Sequence, residues 1–409
     1  MRIDPRNAFY WHAFFLAVTT SFTEVNTVMP ALILEAGGTE VAVGVLTAIM
    51  LGLPLITQLV FAGFLHTRER KKPYLLLAIN LRVLALGAAA VGIALYGTGT
   101  MIIPIVFAAM TVVALSGAFA GVSYTELVGN LVRTANRRTF FVRRQVITSL
   151  GLLASAVVTR FLLGAAAFPD GYVLLFAMAA AFLLVATGGF WALREPPLDE
   201  EAARPAGGVV AAIRQAPAML RADGNLRSLI LVANLVALGF TSIPLVTALA
   251  HRSYELDSAT VGTFVLIQIG GMLVANVVWN RLVRRGGFRL VLQVELVLIA
   301  ALFPLALVVS ALAPLWTYAL LYLVTGAIIS GQKIAIEGAL VQISPDGKRA
   351  LYAGVFGAAN LGAAFMPLLT GVLVGVLGFP AVFLGAAAVA LVALVPVRSL
   401  ACGEWFREA

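Results

Sequence analysis

The sequence predicts an all-α integral membrane protein with twelve transmembrane helices in two pseudo-symmetric six-helix bundles. Of its 409 residues 61% are hydrophobic and only 11% are charged, with a mean hydropathy of +1.00, whereas a soluble domain is about a quarter charged. Apolar runs recur along the chain at the length of about 20 residues that a helix needs to cross the hydrocarbon. The sequence also repeats itself between its two halves. Together these observations indicate a duplicated membrane bundle.

The apolar runs, taken in order, give the candidate spans. In the first half they cover residues 10–34, 41–65, 74–97, 101–130, 140–166 and 171–193, and in the second half 228–250, 259–282, 289–311, 314–342, 351–377 and 379–397. The predicted domains are a first bundle (1–194), a cytoplasmic linker with an interfacial helix (195–227), a second bundle (228–398) and a short cytoplasmic tail (399–409). Basic residues concentrate in the loops after the even-numbered spans, which by the positive-inside rule predicts two cytoplasmic termini.

The internal repeat has two segments. Residues 126–151 overlie residues 337–362 at a constant offset of 211, which matches Glu126 with Glu337. Nearer the start of each half, the offset is 218, and it matches Phe22-Thr23 with Phe240-Thr241 and Val43-Gly44 with Val261-Gly262. A repeat of this length exceeds any solenoid unit, so it indicates two related membrane bundles.

Composition excludes several classes of function. The net charge of +9 comes from short basic clusters between apolar runs, without the interleaved aromatic residues that track a nucleic-acid backbone. A single cysteine and three histidines predict neither a disulfide nor a metal site. The sequence contains no nucleophile elbow and no phosphate-binding glycine loop. We therefore expect no enzymatic activity, no cofactor and no nucleic-acid partner.

The two six-helix halves, the cytoplasmic linker and a basic loop between spans two and three resemble the major facilitator superfamily. The loop signature of that family is G-x-L-a-D-R-x-G-R-R. The matching residues are Gly63, Leu65, Arg68, Lys71 and Lys72 in the first half and Leu282, Arg285, Gly287 and Arg289 in the second. Thr67 stands where the family has an aspartate, which puts the capping and salt-bridge role of that residue in doubt. The resemblance covers essentially the whole chain and implies a transporter.

Glu24 is the first candidate for chemistry. It lies near the middle of span one, in a polar island (21–27) of an otherwise uncharged helix. An ionisable side chain at membrane depth is costly and usually faces a cavity or a partner, and burial favours the protonated form of a carboxyl group. We predict that Glu24 couples transport to protons. The alternative is a glutamate that is hydrogen-bonded to a neighbouring helix or lies near the outer mouth.

Other polar residues within the spans are candidates for the substrate cavity. They are Asn26, Gln58, Gln268, Asn276 and Lys333. Lys333 lies close to mid-membrane and would favour an anionic substrate; its alternative is an internal pair with Glu337. Each neutral residue is equally suited to bonding between helices. For Arg82 and Glu295, by contrast, we expect a structural partner, such as Glu126 for Arg82.

The longer repeat predicts a cytoplasmic gate. Each copy has an acid shortly before a helix ends and a basic pair at the start of the next helix. The predicted gate residues are Glu126, Arg137, Arg138, Glu337, Lys348 and Arg349. Pairing between the halves would close the inner mouth, whereas pairing within a half would only hold neighbouring helices together.

The predicted function is secondary active transport of a small molecule by alternating access, coupled to protons. We expect a monomer in the inner membrane of a bacterium, with an anionic or amphiphilic substrate. One alternative is a flippase for a lipid or a lipid-linked substrate, which a wide lateral opening would favour. Another is a non-transporting relative that serves as an assembly factor or receptor, which a centre filled with side chains would favour.

Overall fold

The computed structural model describes residues 4–66, 68, 70–97, 99–132, 137–191, 193, 195, 209–344, 349–360 and 362–400. This part of the chain is helical and contains no strand. Its α-helices are α1 (Pro5–Phe22), α2 (Val28–Glu35), α3 (Glu40–Thr47), α4 (Leu53–His66), α5 (Lys72–Tyr96), α6 (Ile102–Leu131), α7 (Arg137–Ala165), α8 (Asp170–Trp191), α9 (Val209–Ala222), α10 (Gly224–Thr241), α11 (Pro244–Ser253), α12 (Ser258–Leu312), α13 (Leu315–Ala319), α14 (Leu321–Ile343), α15 (Arg349–Ala359) and α16 (Gly362–Arg398). A π-helical turn, Ala48–Gly52, joins α3 to α4.

The described residues include nine helical segments that are long and apolar enough to cross a membrane. Two of them, 258–312 and 352–398, each contain two predicted spans that meet at a glycine. Gly287 and Gly378 have φ angles of 67° and 80°, which glycine adopts without steric cost, so each long segment consists of two helices separated by a kink. Span one is not among the nine, and in the structure it is divided into α1 and α2. The twelve predicted spans are consistent with this arrangement.

The first helix of each half breaks at the positions that the shorter repeat matches. Helix α1 ends at Phe22 and α10 ends at Thr241, which is the Phe-Thr pair found in both halves. The chain then resumes as α2 and α11, respectively. The sequence predicted these as single uninterrupted spans. The repeat therefore marks a structural break that hydropathy alone does not reveal.

A second helix break lies between α15 and α16, and Asn234 of α10 bonds the backbone groups that this break leaves free. Its side-chain oxygen accepts a hydrogen bond from the Gly362 backbone N–H at 2.6 Å, and its side-chain nitrogen donates to the Ala359 carbonyl oxygen at 3.0 Å. Broken helices persist at membrane depth only where another group bonds the freed backbone. Asn234 is such a group, and the sequence analysis missed it.

The chain divides into two compact units. The first contains residues 1–38, 49–208 and 257–266, and the second contains residues 39–48, 209–256 and 267–409. Each unit thus includes a ten-residue segment from the opposite half of the sequence, residues 257–266 and 39–48 respectively. The predicted domain boundaries had no such exchange of segments.

A glycine in each exchanged segment lies against helix backbone. In the second unit, a methyl group on Gly44 would lie 2.5 Å from the Pro367 carbonyl oxygen and 3.0 Å from the Gly371 Cα. In the first unit, a methyl group on Gly262 would lie 2.5 Å from the Arg160 Cα. Gly44 and Gly262 are the glycines that the shorter repeat matches. The duplicated glycine is therefore a point where each exchanged segment packs closely against helix backbone.

The linker contains the helix α9. Its residues Met219 and Leu220 pack against a small cluster formed by Leu226, Tyr352 and Val355. Asp223 caps the start of α10: its side chain accepts a hydrogen bond from the Leu226 N–H at 3.0 Å. It also accepts a hydrogen bond from the Tyr352 hydroxyl at 2.6 Å. These contacts hold the end of the linker to the second unit, whereas the location of α9 at the membrane surface stays a prediction.

We expect Asn234→Ala to lower the free energy of unfolding by about 1–3 kcal/mol, the cost of leaving buried hydrogen-bonding groups unsatisfied. Asn80→Ala is the matched control, because among the described residues the Asn80 side chain bonds only the Leu76 carbonyl oxygen of its own helix. Thermal unfolding in detergent measures both variants. Equal stability of the two variants would contradict the role given to Asn234.

Candidate functional site

The loop that resembles the family signature is capped by a residue outside the signature. The Glu195 carboxylate accepts hydrogen bonds from the Lys71 N–H at 2.8 Å and the Lys72 N–H at 2.9 Å, at the start of α5. The Lys71 side chain is buried and donates to the Leu65 and Arg68 carbonyl oxygens. A carboxylate at a helix N-terminus satisfies free N–H groups and the helix dipole. Glu195 thus provides the helix cap for which the family uses the missing aspartate.

Glu24 lies in the break between α1 and α2. Its carboxylate accepts four hydrogen bonds of 2.7 Å, from the backbone and side chain of Asn26 and from the backbone and side chain of Thr27. Because α2 begins at the next residue, Val28, these bonds cap its first turn. The geometry gives Glu24 a structural role, while its predicted role in proton coupling stays a prediction.

The predicted cavity residues have different environments. Gln268 is buried, and its side-chain oxygen has no hydrogen-bond partner among the described residues. Lys333 and Glu337 are exposed, and the described part of the chain shows no ion pair between them. Asn276 is partly exposed. The side chain of Gln58 lies outside the described residues. Their role in a substrate site stays a prediction.

Most of the predicted cytoplasmic gate lies outside the described residues. The side chains of Glu126, Arg137, Arg138 and Arg349, and all of Lys348, lie outside the described residues. Glu337 is exposed and forms no ion pair with any described residue. The gate therefore stays a prediction, as does its pairing within or between the halves.

Glu295 lacks the structural partner that we expected for it among the described residues, whereas the side chain of Glu126, the partner expected for Arg82, lies outside them, so that pairing stays a prediction. The Arg82 Nε atom is buried without a hydrogen-bond partner, and so are both carboxyl oxygens of Glu295, among the described residues. Glu295 itself is fully buried. Helix spacing cannot reveal this, because it gives the depth of a side chain but not the residues of neighbouring helices that face it.

A polar cluster in the first unit surrounds Glu35, the last residue of α2. Its carboxylate accepts hydrogen bonds from the Tyr172 hydroxyl at 2.9 Å and the Ser258 hydroxyl at 3.0 Å. Burial raises the pKa of the Glu35 carboxyl and the neighbouring Asp257 raises it further, while the two hydrogen bonds oppose the shift. Ser258 belongs to the exchanged segment 257–266. Glu35 is thus a titratable group that holds this segment, and the sequence analysis missed it.

Comparisons with known proteins agree with the fold. The family model described as Major Facilitator Superfamily matches residues 11–356 and 229–402. No curated protein sequence matches the chain. A variant of the nucleoside transporter NupG has a TM-score of 0.74 at 12% identity, covering 97% of this chain and 99% of its own.

Two further solved structures are similar over nearly the whole chain. A POT family transporter in complex with 5-aminolevulinic acid has a TM-score of 0.71 at 14% identity, covering 96% of this chain and 95% of its own. The xylose transporter XylE from E. coli, in an inward open conformation, has a TM-score of 0.66 at 14% identity, covering 98% of this chain and 97% of its own. Similarity at this level of identity supports the fold and says nothing about the substrate.

Replacing Glu295 tests how much a buried carboxyl group without a described partner costs in stability. We expect Glu295→Leu to raise the free energy of unfolding by about 1–3 kcal/mol, because it removes a buried carboxyl whose oxygens are both unsatisfied. Gln293→Leu, two residues earlier on α12 and partly exposed, is the control for added apolar bulk. Thermal unfolding measures both variants, and a loss of stability in Glu295→Leu alone would contradict the expectation.

Proposed function

Because the chain belongs to the major facilitator superfamily of membrane transporters, we propose that it is a secondary active transporter that moves a small molecule by alternating access, coupled to protons. The observation that carries the alternating-access proposal is the exchange of residues 39–48 and 257–266 between the halves of the sequence. Both segments follow an odd-numbered span, on the side opposite the basic loops.

The contacts of the exchanged segments suit a joint that opens and closes. They consist of close backbone packing at Gly44 and Gly262 and of a few polar contacts at their ends. One such contact is the hydrogen bond from Arg160 Nε to the Thr263 hydroxyl at 3.1 Å, and another is the ion pair between Arg252 and Glu40 at 3.8 Å. Partly exposed pairs of this kind contribute about 1 kcal/mol or less. Breaking them shifts a population between two states without unfolding the protein.

We place the basic loops and both termini in the cytoplasm of a bacterium, with the protein in its inner membrane. The positive-inside rule supports this orientation. The exchanged segments then lie at the outer ends of the helices. Their separation would open the outer mouth of the transporter, and their packing would close it.

Proton coupling is proposed to act through Glu35 at this outer joint. The titratable or charged groups packed against Glu35, among the described residues, are Tyr172 of α8 and Asp257 just before α12. The raised pKa belongs to the packed arrangement, whereas a Glu35 exposed by opening would have an ordinary pKa. Closing the joint therefore takes up a proton and opening it releases one. Glu24, whose carboxylate caps α2, is the second candidate for the coupling residue.

We expect Gly44→Leu and Gly262→Leu to favour the outward-open state, because neither glycine site has room for a side chain. The measurement is labelling of a cysteine at Ala48, one turn deeper on the same helical path, by an impermeant maleimide added from outside. The background carries Cys402→Ser. Labelling should increase at least threefold in both variants.

Gly270→Leu is the matched control. Gly270 lies on the same helix as Gly262, and a methyl group there would meet none of the described residues within 4 Å. This variant should label like the parent. Unchanged labelling in Gly44→Leu and Gly262→Leu, or an equal increase in the control, would argue against the exchanged segments as the outer joint.

The pH dependence of stability should depend on Glu35. Because the pKa of Glu35 is raised in the packed arrangement, its contribution to stability is complete below the ordinary carboxyl pKa and is lost as pH rises through the raised pKa. Glu35→Gln mimics the protonated form, so its melting temperature should exceed that of the parent by an amount that grows as the pH rises from the ordinary carboxyl pKa through the raised pKa of Glu35. Glu24→Gln, by contrast, should be destabilised across this range, because it weakens a cap. Parallel pH profiles of the melting temperature in the parent and in Glu35→Gln would show that Glu35 is not the coupling residue.

A further inference from the structure

Four polar side chains form a group inside the first unit, which we call the basic cluster. Its members are His12 of α1, Arg82 of α5, Tyr124 of α6 and Arg144 of α7. At a rise of about 1.5 Å per residue, each lies roughly 10–15 Å from the end of its helix at the basic loops. The four side chains are therefore at a similar depth, within the cytoplasmic half of the bundle as we orient it.

Ring contacts join three members of the basic cluster, and Arg82 lies close enough to interact electrostatically with His12. The guanidinium carbon of Arg144 lies 5.1 Å from the centre of the Tyr124 ring, and the rings of Tyr124 and His12 are 6.1 Å apart. Both arginines also interact electrostatically with the His12 imidazole. Arg82 reaches α6 at Gly117, where a methyl group would lie 3.8 Å from the guanidinium carbon.

Each member of the basic cluster has an unused hydrogen-bonding atom. These atoms are the Nδ1 of His12, the Nε atoms of Arg82 and Arg144, and the hydroxyl of Tyr124, all buried and without a partner among the described residues. The described acids of the unit are engaged elsewhere or lie at the other end of the helices. Glu24 caps α2, Glu195 caps α5 and Glu35 bonds Tyr172. Neither guanidinium group has a counter-charge among the described side chains; the side chain of Glu126, the partner expected for Arg82, is not one of them.

Such an arrangement is unfavourable for an empty protein and suitable for a bound anion. A buried charge without a partner is costly, and ionisable groups at membrane depth are typical of substrate pathways. The planar guanidinium group binds carboxylate and phosphate oxygens through two parallel hydrogen bonds. We propose that the basic cluster binds the oxyanion group of a small organic anion, which is the transported substrate. This assignment rests on the proposed function as a transporter.

The surroundings of the basic cluster fit this assignment. Phe9 packs edge-on against Tyr124 at 5.3 Å, and Phe190 lies 4.5 Å from the His12 ring. Both phenylalanines are fully buried, so they form an apolar wall that strengthens electrostatic attraction. A methyl group on Gly121 of α6 would meet no described atom within 4 Å. Gly121 lies one turn from both Gly117 and Tyr124, so the described residues leave space beside the cluster.

The test is binding of benzoate and of inorganic phosphate to the purified full-length protein in a neutral detergent, measured by thermal shift and calorimetry. Benzamide is the neutral counterpart of benzoate. We expect at least one of the two anions to raise the melting temperature, and benzamide to have no effect. Arg82→Gln and Arg144→Gln should each weaken anion binding at least tenfold, while Arg82→Lys should retain part of it.

Arg143→Gln is the matched control, since Arg143 is the exposed neighbour of Arg144 on α7, and it should bind anions like the parent. Should Arg82→Gln fail to fold, Arg144→Gln and Arg82→Lys still decide the question. Equal anion binding by the parent and both glutamine variants would overturn the proposal. Stabilisation by phosphatidylglycerol alone, with no response to either soluble anion, would overturn it as well, because the site would then hold a lipid headgroup.

Transport is measured separately, as counterflow of radiolabelled benzoate in proteoliposomes. Anion binding that depends on Arg82 and Arg144, without counterflow of any bound anion, would support the site and count against the transport function. Counterflow that is equally fast in the parent and in Arg144→Gln would support the transport function. It would also show that the basic cluster does not bind the transported substrate.

Discussion

The structure depends on the requirement that every backbone polar group at membrane depth be hydrogen-bonded. The predicted first span cannot simply stop at Phe22, so Glu24 accepts the free N–H groups at the start of α2. The break after α15 would leave a carbonyl and an N–H group unpaired, and Asn234 bonds both. Helices that are broken in this way can change direction within the membrane. The same requirement thus explains several polar residues that hydropathy alone would assign to a substrate site.

The sequence was sufficient to predict features that depend on spacing along one helix. The span positions follow from apolar length, and the repeat matched Gly44 with Gly262 before their contacts were known. Contacts between helices could not be predicted in this way. Nothing in the spacing shows that Glu195 caps α5, or that Arg82 has no acidic partner among the described residues. Glu35 was missed for a related reason, because its importance depends on Ser258, which lies more than two hundred residues away.

Two kinds of charged group are therefore distinguished by their partners, not by their depth. Glu24 and Glu195 are satisfied by backbone N–H groups, so their charges stabilise the fold. The guanidinium groups of Arg82 and Arg144 have hydrogen-bonding capacity that no described residue uses. A buried arginine with unused donors is a better indicator of ligand binding than a buried carboxylate whose bonds are complete.

The exchanged segments also affect how the chain is assembled during synthesis. Gly44 is synthesised more than three hundred residues before its packing partners, Pro367 and Gly371. The helix that contains Gly44 must therefore wait in the bilayer with an unpacked glycine face until that later segment has been made. A truncated nascent chain would expose that face to other helices, so membrane chaperones and quality-control proteases would encounter it before the full-length protein could cover it.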